Sequence, residues 1–297
     1  MGVGTDKLFE QFSTLNVWKK GDQRAPHKPL VLLAALARVQ RGQSRLVSFE
    51  ESAETISVLL DDFGPARKTQ HPEQPFFRLK HDGDFWDVLN ADKITTDKDI
   101  SAANLKRHQV EAGFSADFYR ELCEDRAAVN RLAHFLLEEH FPPSMHEDIL
   151  NAVDFHWLVE STQKKRDPRF RDLILRIYEH RCAICGYDGR LGRTGLAIEA
   201  AHVKWHAYGG PDTSENGVAL CSFHHKTFDR GALGLSRECR ILVSQHVHGS
   251  EGVDEWLIRY HGQELRGPQT GQSQPDLSYI EWHQENVFKS PARGVHE

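Results

Sequence analysis

The sequence predicts an α+β protein of two domains: a mixed α and β N-terminal half, and a C-terminal half built on a β-hairpin and helix around metal ligands. Three observations predict this. Helical and strand patterns alternate through the first 150 residues. CAIC at 182–185 and CSFH at 221–224 form two pairs of metal-binding side chains. Between them, LAIEAAH (196–202) and NGVALC (216–221) read as paired strands, and the chain then enters a helix with His225 and Asp229 one turn apart.

The N-terminal elements follow in order. Residues 5–18 carry a helical pattern. A second helix opens near Pro29 in PLVLLAALARVQ, since proline suits the first turn, where its missing N–H costs nothing. PFFRLK and FWDV, on either side of an Asp-Gly pair in 75–88, alternate and predict a hairpin. On this reading at least two of Phe76, Phe77 and Leu79 lie on a buried strand face. DFYRELCEDRAAVNRLAHFLLEEHF (117–141) places Leu122, Val129, Leu132, Phe135 and Leu136 at helical spacing. Pro142-Pro143 breaks that helix, and the first domain is expected to close at 153. A basic linker follows at 154–169, and the second domain fills 170–297. It opens on a helix at 170–181, crosses a flexible stretch at 263–275, and ends with an apolar segment at 278–288 that packs onto the domain.

Charge is informative locally rather than in sum. The chain of 297 residues has a net charge of −6. Residues 1–150 hold 19 Lys and Arg against 24 Asp and Glu, and residues 151–297 hold 18 against 19. Within these halves lie two basic clusters, WKKGDQRAPHK (18–28) and QKKRDPRFR (163–171), both suited to phosphate contact. No apolar run reaches 18 residues, so no membrane partner is expected. MGVGTDKLFEQF lacks the apolar core of a secretion signal, which predicts a cytoplasmic protein. Five cysteines, two of them as CxxC, favour metal over disulfides in that setting.

Two ligand pairs, each with two residues between partners, can clasp opposite sides of a tetrahedral ion. Cys182, Cys185, Cys221 and His224 are therefore assigned to a structural Zn2+. His202, Asn216, His225 and Asp229 do not fit that ion. His225 and Asp229 stand at i and i+4, on one helix face, and can share a second metal. His206 reads as a surface histidine.

These residues resemble the HNH nucleases of the ββα-metal fold. His202, Asn216 and His225 match the three signature residues, and Gly209-Gly210 and the zinc pairs fit as well. The resemblance spans about 170–235. It implies that His202 is the general base that deprotonates the attacking water, a task suited to an imidazole. It implies that Asn216 holds the loop and orients His202, and that His225 binds Mg2+ or Mn2+ with Asp229 as second ligand. Many members carry a metal-binding residue directly before the base. Here that position is Ala201, so the missing ligand falls to Asp229, with Glu199 the weaker candidate. Without catalysis the same set would make a zinc-stabilised DNA-binding regulator, but such a protein has no need of His202, Asn216 and Asp229.

The first half supplies a second resemblance. VWKKGDQRAPHKPLVLL, FGPARK, HPEQPFFRL and FP…HEDIL resemble the sulfur-binding domain of restriction endonucleases that recognise phosphorothioated DNA. In that family the sulfur-binding domain precedes an HNH domain, and the tail SYIEWHQENVFKSPAR is similar too. The resemblance implies a double-stranded DNA partner carrying phosphorothioate linkages. It places Gln74 and Pro75 at the sulfur and Arg24, His27 and Lys28 on the phosphate and adjoining bases. Arg67 and Lys68 add a basic rim. The family often has an aromatic residue at the Gln74 position. Pro26 and His27 also suit ordinary helix-start chemistry. A reader of methylated bases would want an aromatic cage for a flipped base, and the first basic segment offers one Trp only. One nuclease site cuts one phosphodiester at a time, so double-strand cleavage calls for a homodimer or two nicks.

Overall fold

The computed structural model describes residues 12, 15, 26–65, 67–156, 168–192 and 194–294. These fall into two compact units, the first ending after the helix Pro143–Ala152 and the second opening with the helix Pro168–Ile177.

The first unit mixes helices with one small sheet. Helix α1 is His27–Gln40, with Pro26 as its N-cap, so Pro29 sits inside the first turn. Strand β1 (Leu46–Ser48) leads into α2 (Phe49–Phe63), whose N-cap Ser48 accepts a hydrogen bond from the Glu51 amide. Helix α3 is Glu73–Arg78 and strand β2 is Trp86–Leu89. Helix α4 (Ala102–Arg107) precedes strand β3 (Glu111–Phe114), which lies between β1 and β2 and pairs with both antiparallel. Helices α5 (Ala116–Glu124), α6 (Arg126–His140) and α7 (Pro143–Ala152) complete the unit. Its core gathers Leu33, Leu36, Phe49, Leu60, Phe76, Leu132 and Leu136, all essentially buried.

The expected hairpin over 75–88 is not formed. The arm PFFR is helix α3, and β2 finds its partner in β3 instead. Pro75 misled the reading: it is the third residue of α3, where no intrahelical donor is needed. Phe76, Phe77 and Leu79 are all buried, but on a helical turn rather than a strand face. Phe76 packs edge-on against Phe49 at 5.2 Å, and its carbonyl accepts from Trp86 Nε1 at 3.1 Å, which ties α3 to β2. The helix expected over 117–141 is two helices. Asp125 ends α5 with a non-helical backbone and caps α6 by accepting from the Ala128 amide at 3.0 Å. Of the helix expected over 5–18, only Phe12 and Leu15 lie within the described residues; Phe12 is buried against Phe85 and Phe118.

The second unit opens with α8 (Pro168–Ile177). The short strands β4 (Arg190–Leu191) and β5 (Thr194–Gly195) precede the central hairpin of β6 (Ile198–His202) and β7 (Gly217–Cys221). Its register pairs Ile198 with Cys221 and His202 with Gly217. Helix α9 (Ser222–Asp229) follows at once, giving the expected β-β-α order. A second hairpin, β8 (Leu233–Leu235) with β9 (Ile241–Val243), then α10 (Val253–Trp256) and α11 (Leu277–Asn286), close the unit.

The stretch 263–275 has little regular structure, but it is pinned. The amides of Leu265, Arg266 and Gln269 donate to the carbonyls of Cys239, Ala183 and Ile177, and Leu265 is buried. Its Gly and Gln content suggested flexibility, but backbone hydrogen bonds need no particular side chain. Helix α11 packs as expected. His283 stacks on Phe228 of α9 at 3.9 Å, and Trp282 meets Trp205 and Tyr208 at 6.0 and 5.7 Å. No helix among the described residues is long and apolar enough to cross a membrane.

Candidate functional site

Consecutive histidines on α9 face two separate groups of side chains. His224 turns into the domain. Its Nδ1 lies 3.2 Å from Cys221 Sγ and 3.5 Å from Cys182 Sγ, and Cys185 Sγ lies 4.0 Å from Cys221 Sγ. All four donor atoms fall within 4.8 Å of one another, the one such group among the described residues. Zinc–sulfur bonds of about 2.3 Å in a tetrahedron place sulfurs about 3.8 Å apart, so the donor set fits such an ion. His224 Nε2 pairs with the Trp256 carbonyl at 2.8 Å, which fixes the tautomer that aims Nδ1 at the sulfurs. Hydrogen bonds shared among the three thiols lower the Cys182 thiol and raise the Cys221 thiol.

His225, one residue on, meets carboxylates. Its Nδ1 lies 2.6 Å from Glu199 Oε2 on β6, and its Nε2 lies 3.2 Å from Asp229 Oδ2. Ligands at about 2.1 Å on adjacent octahedral positions stand about 3 Å apart, so His225 Nε2 and Asp229 fit one hard cation. Glu199 is on the other ring nitrogen and also accepts from Ser222 Oγ at 2.6 Å. It therefore stands where a carboxylate orients a ligating imidazole. Burial alone would lower the His225 pKa, but Asp229 and Glu199 outweigh it and raise it to about 9.

His202 ends β6. Its ring stacks on Phe170 of α8 at 4.1 Å and 14°, and its Nε2 lies 2.7 Å from Asp212 Oδ1. Asn216 is fully buried and works on the loop backbone. Its Oδ1 accepts from the Lys204 amide at 2.8 Å, and its Nδ2 donates to the carbonyls of Lys204 and Pro211 at 2.9 and 3.0 Å. The backbone carbonyl of Asn216 also takes the Val203 amide at 2.9 Å. His206 is exposed. Sequence reasoning missed Asp212 and Phe170. Asp212 left a trace, an acid directly after the GGP turn; Phe170 left none, because it looks like any apolar helix residue.

The residues named in the first unit are partly described. Arg24 lies outside the described residues, as does most of the basic run 163–171. His27 is the first residue of α1, half-buried. Lys28 Nζ is 2.6 Å from Asp82 Oδ2, whose side chain is 1% exposed. Arg67 and Lys68 are exposed between α2 and α3. Gln74 is half-buried in the first turn of α3; its Nε2 donates to the Ile100 carbonyl at 3.0 Å and its Oε1 accepts from Arg78 Nε at 2.9 Å. Pro75 is buried beside it.

A histidine at the end of β6, a His-Asp pair on α9 and a Cys3His cluster on a β-β-α unit are what a metal-dependent nuclease module calls for. Residues 5–157 match the ScoMcrA-like DNA sulfur-binding domain, and the chain belongs to that family. Residues 182–236 match the HNH endonuclease family, so the protein carries a DNA sulfur-binding domain and an HNH endonuclease domain in one chain. Among solved structures, the sulfur binding domain of SprMcrA complexed with phosphorothioated DNA is 19% identical, with a TM-score of 0.43, over 50% of this chain and 93% of that one. The corresponding complex of ScoMcrA is 21% identical, with a TM-score of 0.42, over 48% and 96%. The Type IV phosphorothioation-dependent restriction endonuclease ScoMcrA is 14% identical, with a TM-score of 0.39, over 73% and 93%. No curated protein matches significantly.

Proposed function

We propose that the protein is a modification-dependent restriction endonuclease acting in the cytoplasm. Residues 1–153 bind phosphorothioated double-stranded DNA, 154–169 link the domains, and 170–297 hydrolyse a nearby phosphodiester. The observation that carries this reading is one chain that joins a sulfur-binding family match to a centre with a histidine base and a separate His-Asp metal pair.

Cys182, Cys185, Cys221 and His224 hold Zn2+ and fix the start of α9 against β7. That closed set leaves no position for substrate. His225 and Asp229 hold Mg2+ or Mn2+, and Glu199 orients His225 through Nδ1. When bound, that cation polarises the scissile phosphate and offsets charge on the leaving oxygen. His202 takes the proton from a water, and the water oxygen attacks phosphorus. The bond to the 3′ oxygen breaks, its electron pair stays on that oxygen, and solvent supplies the proton. The products are a 5′ phosphate and a 3′ hydroxyl.

Recognition of the mark has a physical basis. Sulfur in place of a non-bridging oxygen is larger, less hydrated and a weaker hydrogen-bond acceptor. An apolar pocket gains by covering it and loses by stripping water from oxygen. Gln74 and Pro75 form that surface. The Gln74 amide is already committed to Ile100 and Arg78, so it brings little polar demand to the pocket. Arg24, His27 and Lys28 contact the phosphate and adjoining bases, with Asp82 holding the Lys28 ammonium in place, and Arg67 and Lys68 form a basic rim. Each catalytic domain cuts one strand, so a double-strand break needs a homodimer or two nicks.

The test uses paired duplexes of one sequence, one with a single stereodefined phosphorothioate and one without. Binding is read by gel shift in EDTA at fixed salt. Tighter binding of the sulfur duplex, equal for wild type and His202→Ala, is expected. Equal affinity for the two duplexes would sink the sulfur reading.

A further inference from the structure

We propose that Asp212 is the positioning residue for His202, a role that rests on the nuclease reading above. The Asp212 carboxylate accepts from His202 Nε2 at 2.7 Å. Three features of the loop 203–216 deliver it there. Gly209 takes a left-handed backbone at φ +75, and a Cβ on Gly210 would fall 1.8 Å from the Lys204 carbonyl oxygen, so the chain turns through a space only glycine can pass. Pro211 fixes its own φ, and its carbonyl is held by Asn216 Nδ2 at 3.0 Å. The same Asn216 amide grips Lys204 on the opposite arm of the loop. Asp212 is therefore the next residue after a clamped carbonyl. The Asn216 amide is spent on the loop backbone at Lys204 and Pro211, so its influence on the base runs through Pro211 and Asp212.

Two of the described contacts constrain the ring of His202. Phe170 stacks on its face and sets the plane. Asp212, within hydrogen-bonding distance of Nε2, sets rotation within that plane and the tautomer. A carboxylate accepting from Nε2–H leaves the lone pair on Nδ1, which makes Nδ1 the atom that takes the proton from water. Once His202 is protonated, the Asp212 charge stabilises the imidazolium until solvent takes the proton. An amide at 212 offers an N–H to Nε2, which reverses the tautomer and places the proton on Nδ1.

The experiment compares wild type with Asp212→Asn, Asp212→Ala and Asp212→Glu on a cleavable duplex. For Asp212→Asn we expect kcat to fall about 10²- to 10³-fold with KM within about twofold. Affinity for DNA in EDTA, Mn2+ affinity and melting temperature should match wild type. Asp212→Glu should recover at least about tenfold of the lost kcat, because the carboxylate returns. Unchanged kcat in both Asp212→Asn and Asp212→Ala would overturn the proposal and leave an ordinary loop ion pair. Loss of Mn2+ affinity would overturn it differently, by placing Asp212 on the metal. Failure of the nuclease reading is distinguishable: wild type would then show no cleavage that His202→Ala removes.

Discussion

His224 and His225 are adjacent in sequence and differ in almost everything else. His224 faces three sulfurs, and a backbone carbonyl fixes its second nitrogen. His225 faces two carboxylates. A helix advances each residue by about 100°, so neighbours on α9 look into different regions of the domain. The donor chemistry then selects the metal. Thiolates with one imidazole favour Zn2+, and carboxylate with imidazole favours a hard, exchangeable cation. One residue type in two surroundings thus meets sulfurs on one side and carboxylates on the other. On the proposed function the Cys3His side can be closed, because its work is done when the fold is made, whereas the His225 side must admit a phosphate.

That contrast can be broken at several points. The largest effect is expected at Cys182→Ser. Structural zinc contributes about 10 kcal/mol or more to folding of small modules, so the second domain should lose its cooperative melting transition and bound zinc together. Retention of a native melt without zinc would show that the cluster is not structural. His202→Ala should lower kcat by about 10³-fold or more with unchanged DNA binding, since a base is lost, and the melt should fall only slightly, through loss of the stack on Phe170. Asp229→Asn should weaken Mn2+ binding at the second centre, with activity partly restored at high Mn2+, while zinc content stays at one per chain. A drop in zinc content would mean that the two centres are not independent.

A smaller effect sharpens the comparison through pH. With no cation bound, His225 is protonated below about 9, held between Asp229 and Glu199. The cation must displace that proton. Its affinity should therefore rise by about tenfold per pH unit up to about pH 9 and then level. The sign for the metal-free fold is the reverse. The raised pKa stabilises the protein fully below the unfolded value near 6.5, and that stabilisation is lost as pH rises toward 9. Titration of Mn2+ affinity between pH 6.5 and 9 checks the first, and unfolding of the metal-free protein over the same range checks the second. A flat profile would place the proton elsewhere.

How much of this could be read from the sequence follows the same division. The Cys3His cluster was legible because CxxC and CxxH encode its geometry in spacing alone. His202, Asn216 and His225 were singled out through the β-β-α pattern and its resemblance to a known family, and they lie on that unit in the structure. Asp212 was not, because its role depends on a loop path set by Gly210, Pro211 and the Asn216 clamp, none of which has a periodic signature. The hairpin expected at 75–88 failed for a related reason. Alternating Pro75, Phe77 and Leu79 imitates a strand, and only the position of Pro75 inside a first helical turn removes the conflict. The break at Asp125 was available as a capping signal within a long apolar period, and the period dominated the reading.

The central claim is that one chain couples recognition of a sulfur mark to hydrolysis by the His202 centre. The most direct measurement is a competition. Equal amounts of phosphorothioated and unmodified duplex, of one sequence and distinguishable by label, are incubated with the full chain and Mn2+ in one tube. The account predicts that the sulfur duplex is cut while the unmodified one survives, and that His202→Ala spares both. Cutting of both duplexes at equal rates would contradict it.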